Sequence, residues 1–336
     1  MTPERFQSLT SRFPRLKIAI VGDFCLDRYL EIDPGKKETS IETGLPVHNV
    51  ASTRSQPGAA GTILNNLVAL GIGDVFVVGF AGNDGEGFEL RRALESRAGV
   101  HLDYFLATPA RRTFTYTKPM VIEPGKPPVE LNRLDLKNWS PTPAEVTRQL
   151  AVAVEKVAGQ VDAMIVLDQV DIPETGVVTA ELLSAIQRVS LARPQMRILA
   201  DGRRGLRGFP PLTFKMNRAE LGRFFQASAE FGQIQAQAAQ LARQNQREVF
   251  VTLAEEGILG AAPSGEIYHQ PALPVRGPID IVGAGDAVTA NLTAALAAAG
   301  NLKEAVAMAN AAASIVVHQL GTTGTASVAQ IQKILF

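Results

Sequence analysis

Gly283, Ala284, Gly285 and Asp286 stand together at the end of the run DIVGAGD, directly before the alanine-rich stretch Ala287 to Ala299, which has good helix propensity. Glycine lacks a β-carbon, so the backbone can turn sharply there and present its N–H groups. The N-terminus of the following helix adds partial positive charge. Such a turn is a prepared site for the charge that develops on a phosphate. Asp286 falls in the first helical turn, where the same dipole is expected to keep it ionised and able to take a proton from a hydroxyl group as a general base. From this segment alone, an N-cap aspartate behind an ordinary glycine turn explains the pattern equally well. The run is not a dinucleotide fingerprint, because GAGDAV carries valine where the third glycine belongs, and no GxxxxGK[ST] loop occurs anywhere in the chain.

A second segment with chemical content is Asn217 to Glu220 (NRAE), which follows the strand-like Phe214 to Met216 and precedes a helix-like stretch. Read locally, it is a capping box. The functional alternative is that Glu220 and Asn217 hold a hydrated Mg²⁺, a hard ion that takes few carboxylates and keeps its waters. One helix end can serve both purposes. The histidines His48, His101, His269 and His318 show no metal-ligand spacing and have no cysteine partners. No GxSxG elbow is present, so acyl chemistry has no support.

These residues need a scaffold, and the hydrophobic pattern supplies one. Lys17 to Gly22, Val75 to Phe80, Asp162 to Leu167, Arg197 to Asp201 and Glu248 to Leu253 are short apolar runs, of the kind buried on both faces of a sheet. Helix-like stretches lie between them, at Gly61 to Leu70, Gly87 to Arg97, Pro143 to Val157 and Thr179 to Val189. This alternation predicts an α/β fold with a mostly parallel central sheet flanked by helices. Two segments break the pattern, residues 28–50 and 111–133, which are rich in Thr, Pro and charge and lack a helical period; they read as strands of a small separate sheet or lid. The Gln/Ala-rich Ala227 to Gln246 reads as a solvated helix, and no repeat recurs.

Composition narrows the partner. Acidic and basic residues balance at 33 each without long blocks, which argues against nucleic acid or an anionic membrane and for a small molecule. The one cysteine, Cys25, cannot form an internal disulfide and reads as a small buried hydrophobe in a reducing, cytoplasmic setting. The N-terminus, Met1 to Pro14, is not apolar enough for a signal peptide, and the apolar C-terminal stretches fall short of a membrane span.

Several motifs in order then carry a resemblance: GDFCLDRY from Gly22, GFAGNDGEG from Gly79, Arg133-Leu134-Asp135, NRAE, DIVGAGD, and ANAAAS from Ala309 followed by Leu320-Gly321-Thr322. Over roughly residues 15–335 the chain resembles the PfkB (ribokinase-like) carbohydrate kinases, and within them the branch acting on D-glycero-β-D-manno-heptose 7-phosphate. The resemblance implies a single ribokinase-like domain over residues 1–336 with a small β-sheet lid. It also implies ATP and Mg²⁺ as cofactors and a sugar or sugar phosphate as acceptor. Because unpaired strand edges need covering, the exposed lid edge predicts a homodimer joined through the lid segments. Carried onto this sequence, the resemblance makes Asp286 the base and the Gly283, Ala284 and Gly285 amides the anion hole. Asn217 and Glu220 become the Mg²⁺ and phosphate group. Thr252, Gly257 (in VTLAEEG) and Asn310 lie around the nucleotide, and Asp27, Gly58 and Thr62 lie at the substrate. Some relatives imply a monovalent cation near Asp280 and Val282.

Departures bear on the acceptor. Where the family has a Gly-Gly pair and then a sugar-contacting asparagine, this chain reads Gly58, Ala59, Ala60, Gly61, Thr62. A methyl is added where the backbone approaches the sugar, and one hydroxyl replaces a two-ended amide. Asp168-Gln169-Val170-Asp171 stands where the heptose kinases carry Asp-Tyr and a nearby lysine, which argues against a heptose phosphate. Arg203 and Arg204, or Lys118 and Arg112, could instead contact a phosphate or be solvated charges. Two other readings stay open: a non-catalytic sugar or nucleotide sensor, and a kinase of a nucleoside or vitamin-like alcohol.

Overall fold

Lys17–Gly22 forms β1, and the fate of its alternate residues explains the architecture. Ile18 and Ile20 are buried in one apolar cluster with Leu64, Leu67, Val288 and Leu292, whereas Ala19 and Val21 are buried in a second cluster with Leu150, Val154, Leu182 and Ile186. Successive strand residues point to opposite faces, so a strand that is apolar throughout must be covered on both. Each such side chain contributes roughly 1.5–3 kcal/mol on burial, which makes the two-faced sheet the favoured packing.

The computed structural model describes residues 1–226 and 230–336. The remaining strands are β2 (Phe24–Thr39), β3 (Pro46–Ala59), β4 (Asp74–Gly82), β5 (Val100–Thr108), β6 (Phe114–Val121), β7 (Val129–Glu130), β8 (Leu134–Leu136), β9 (Ala163–Asp168), β10 (Arg197–Gly202), β11 (Thr213–Asn217), β12 (Val249–Thr252), β13 (Ile258–Ala261) and β14 (Ile267–Gln270). The helices are α1 (Pro3–Thr10), α2 (Ala60–Ala69), α3 (Gly85–Glu95), α4 (Ala144–Ala158), α5 (Ala180–Ala192), α6 (Arg218–Phe225), α7 (Phe231–Asn245), α8 (Ala284–Ala297), α9 (Leu302–Val316) and α10 (Val328–Leu335).

The large sheet runs β14-β13-β12-β11-β10-β9-β1-β4-β5; it is parallel from β5 through β12 and antiparallel at β13 and β14. Buried residues of α2, α8 and α9 belong to one apolar cluster, and those of α4, α5 and α7 to the other. Because β4 and β9 flank β1 on opposite sides, chain order reverses there, and the C-terminal strand ends border the crevice where open α/β sheets hold their ligands. The expected strands and helices are present, and β5, β13 and β14 are additions that the apolar runs did not mark.

The second sheet is smaller, in order β3-β2-β6-β7 with β8 also on β6. It is longer than the expected 28–50 and 111–133: β2 starts at Phe24, β3 runs on to Ala59, and β8 ends at Leu136. The end of β3, Ser55 to Gly58, has turn-like composition, yet pairing with β2 from Phe24↔Ala59 to Arg28↔Ser55 keeps it extended. The expected solvated helix at Ala227 to Gln246 is also corrected. Residues 227–229 lie outside the described residues, and α7 is amphipathic, burying Ile234, Ala238, Ala239, Leu241 and Ala242. Cys25 is buried, as expected. Among the described residues no helix is long and apolar enough to cross a membrane.

Candidate active site

The glycine turn ends where the helix begins. Gly283 has φ +84°, the left-handed conformation glycine adopts without cost, and α8 starts at Ala284 with Asp286 in its first turn. Residues Gly283 through Asp286 are partly exposed at the crevice, while Ala287 to Leu296 behind them are buried. The helix is therefore anchored along its length and presents only its N-terminus. The dipole does not decide the ionisation of Asp286, contrary to the expectation. Although part of its surface meets solvent, Asp286 stands deep among protein atoms; burial pushes its carboxyl up to about 7, the Asp201 and Asp27 carboxylates add to the rise, and Lys215 opposes it.

The small sheet contributes Asp27, which is 7% exposed and, among the described residues, accepts a weak S–H bond from Cys25 at 3.8 Å; its charge is felt at Asp286. Burial raises its carboxyl above the usual range, with Lys118 and Arg133 pulling the other way. A β-carbon on Gly58 would lie 2.5 Å from Asp27 Oδ2, so only glycine lets β3 pass beside that carboxylate. The next residue, Ala59, has φ 52° and ψ −117°, a region L residues rarely adopt and one that stores strain of about 1–3 kcal/mol. Thr62, 1% exposed, sits behind the turn rather than in the open crevice. Its methyl group is 3.5 Å from where a β-carbon of Gly283 would be, and its hydroxyl has no partner among the described residues.

The small sheet also touches the loop behind the glycine turn. Gln56 donates to Thr323 Oγ1 at 2.7 Å and Arg54 to the Gly321 carbonyl at 2.8 Å. Thr323 in turn packs beside Gly283. Asp280 ties the same loop by accepting from the Val282 and Gly321 amides at 3.0 and 3.2 Å.

Asn217 and Glu220 form the capping box the sequence suggested: Asn217 Oδ1 accepts from the Glu220 amide at 2.9 Å, and Glu220 Oε2 from the Asn217 amide at 2.7 Å. Glu220 is 8% exposed, and burial pushes its carboxyl above its ordinary value. Thr252 neighbours Asn217 across β11 and β12. A β-carbon on Gly257 (φ +94°) would collide with the Gln270 carbonyl, and Asn310 donates to the Pro271 carbonyl at 2.9 Å, so Gly257 and Asn310 meet around the segment after β14. Arg203 and Arg204 are engaged by Asp171 and Asp168, Arg112 lies 3.8 Å from Asp84, and Lys118 stands 5.1 Å over the Tyr29 ring.

Two residues were not singled out by sequence reasoning. Lys215, in β11, is 7% exposed and donates to Asp201 Oδ2 at 2.8 Å, and Thr289 of α8 donates to the same oxygen at 2.8 Å. Burial alone would lower the lysine, but Asp201, followed by Glu220 and Asp286, outweighs it and holds the ammonium above its ordinary value. The signal was legible: Lys215 interrupts the apolar run TFKM, and a charge inside a buried strand demands a partner.

Mg²⁺ fits this donor set through water. Glu220 keeps one oxygen outside the capping box, and the charges of Asp201, Glu220 and Asp286 all act on Lys215. Among the described residues no group of three His, Cys, Asp or Glu side chains could hold a metal ion, and Mg²⁺ would take one carboxylate and keep its waters.

The chain is 30% identical to the bifunctional protein HldE of Bradyrhizobium sp. (strain ORS 278) over 98% of its own length and 66% of the relative's. It is 31% identical to that of Azorhizobium caulinodans over 91% of its length and 61% of the relative's. It thus spans about two thirds or less of these proteins. Its fold is similar to Arabidopsis thaliana ribokinase complexed with ribose and ATP, with TM-score 0.67, 20% identity and coverage of 95% and 98% of the two chains. It is also similar to Escherichia coli phosphofructokinase-2 in complex with fructose-6-phosphate, with TM-score 0.69, 18% identity and the same coverage. The model of the pfkB carbohydrate kinases matches residues 17–329, and the chain belongs to that family.

Proposed function

We propose that this carbohydrate kinase transfers the γ-phosphoryl group of ATP to a hydroxyl of a sugar or sugar phosphate, with Asp286 as general base. One observation carries the reading: a carboxylate in the first turn of a buried helix stands beside the Gly283–Gly285 backbone and feels the charge of Asp27, a buried carboxylate of the small sheet whose donor, among the described residues, is a thiol. Asp27 has free acceptor capacity for substrate hydroxyls, and Gly58 gives it room. The Gly283, Ala284 and Gly285 amides receive the developing phosphoryl charge. Thr252, Gly257 and Asn310 border the nucleotide. Mg²⁺, held through water by Glu220 and Asn217, would neutralise phosphate charge. The small sheet acts as the lid that excludes water, and Gln56 and Arg54 connect it to the turn. Its outer edge, β3, pairs two chains into a homodimer.

ADP release measured against a panel of sugars and sugar phosphates tests this reading. Turnover dependent on both Mg²⁺ and one acceptor is the expected result, with Asp286→Asn lowering it by about 10²- to 10⁴-fold while leaving ATP binding nearly intact. ATP binding without turnover on any acceptor would favour a sensor instead.

A further inference from the structure

Lys215 has no part in the anion turn or the capping box, yet it lies between them. Its Nζ is 3.2 Å from where a β-carbon of Gly285 would stand, and the Glu220 and Asp286 charges both act on it. Through Asp201 it is tied to Thr289, which lies one helical turn past Asp286. A strand of the large sheet, its neighbour and the catalytic helix are thus joined at one carboxylate oxygen. Stability does not account for a lysine here. A buried ion pair can often be replaced by apolar residues of similar size at no loss, and this strand already buries Phe214 and Met216 on either side. What an apolar residue cannot supply is an ammonium under the amides that receive a phosphoryl group.

Building on the phosphotransferase reading above, we infer that Lys215 is a catalytic residue whose ammonium contacts a non-bridging oxygen of the transferred phosphoryl group, and that Asp201 and Thr289 are the residues that position it. An ammonium has three N–H donors; among the described residues Asp201 takes one, which leaves two to follow the phosphoryl oxygens from donor to acceptor. In the step itself the acceptor hydroxyl gives its proton to Asp286, its oxygen bonds to the γ-phosphorus, and the bond to the β,γ-bridging oxygen breaks with its electron pair leaving on ADP. Lys215 stays protonated throughout, so its contribution is charge and orientation.

The test compares Lys215→Met, Asp201→Asn, the double variant and Thr289→Val in the full chain, by kcat and KM for ATP with the best acceptor of the panel and by thermal melting. Lys215→Met leaves the buried Asp201 without its cation, and its melting temperature falls. The double variant removes both charges and regains most of that loss, yet its kcat stays roughly 10²- to 10³-fold below wild type with KM for ATP within about threefold, the range for losing one preorganised donor. Thr289→Val lowers kcat by less than Lys215→Met does. A double variant that regains wild-type kcat along with its melting temperature overturns the catalytic role of Lys215 and leaves the kinase reading standing. A wild-type chain that binds ATP but releases no ADP with any acceptor overturns both.

Discussion

At the scale of single residues, the proposed base Asp286 sets the expected pH dependence. Its carboxyl is held up to about 7, and a base must be ionised to act, so kcat/KM should rise with pH through a limb centred near pH 7. An acid limb near pH 4 would show that burial does not hold this carboxyl up. The sign for stability is opposite. A carboxyl whose folded pKa is raised stabilises the fold fully below its unfolded value of roughly 4, and that contribution is lost as pH rises through about 7. Asp286→Asn has no charge to bury, so its stability advantage over wild type should grow between pH 5 and pH 8, by on the order of 1–3 kcal/mol once the partly open crevice is allowed for. Denaturant unfolding at the two pH values measures the difference, and a gap that stays constant would contradict the shift.

At the scale of elements, the capping box at the start of α6 separates two roles that the sequence could not. Asn217→Ala removes an N-cap hydrogen bond and should cost about 1 kcal/mol of stability. If Asn217 also helps hold Mg²⁺ and phosphate, the KM for Mg·ATP rises severalfold as well; melting and steady-state kinetics on the same variant read the two effects separately, and a change in melting alone leaves only the cap. The opening of α8 was legible because glycine spacing and alanine content dictate turn and helix locally. The extent of β3 was not, because Ser55 to Gly58 is held extended by pairing with Arg28 to Cys25 of β2, a distant partner that local composition does not reveal.

At the scale of the whole molecule, the small sheet ends in β3, an edge strand whose outer half is exposed, beside a hairpin tip that carries Ile41 and Leu45 in solvent. Open edges of this kind invite pairing. Light scattering at micromolar concentration should give twice the monomer mass, and Val50→Lys together with Ile41→Lys should shift it to the monomer without unfolding the chain. A wild-type monomer under those conditions removes the dimer. The charge group of Asp201, Lys215, Glu220 and Asp286 also belongs to this scale, since β10, β11, α6 and α8 each supply one member.

The chain by itself determined the alternation of strands and helices, the two-faced central sheet, and the glycine turn with Asp286 at a helix start, because these follow from periodicity and from the backbone freedom of particular residues within a few positions of one another. Only the tertiary structure decided that Asp286 is held near 7 instead of fully ionised, that Gly58 makes room for Asp27, that Ala59 is strained, and that Lys215 stands under the Gly285 backbone. The physical reason is common to all four: desolvation, close approach and charge pairing depend on which distant segments become neighbours, and that is fixed by how the sheet order brings the strand ends together.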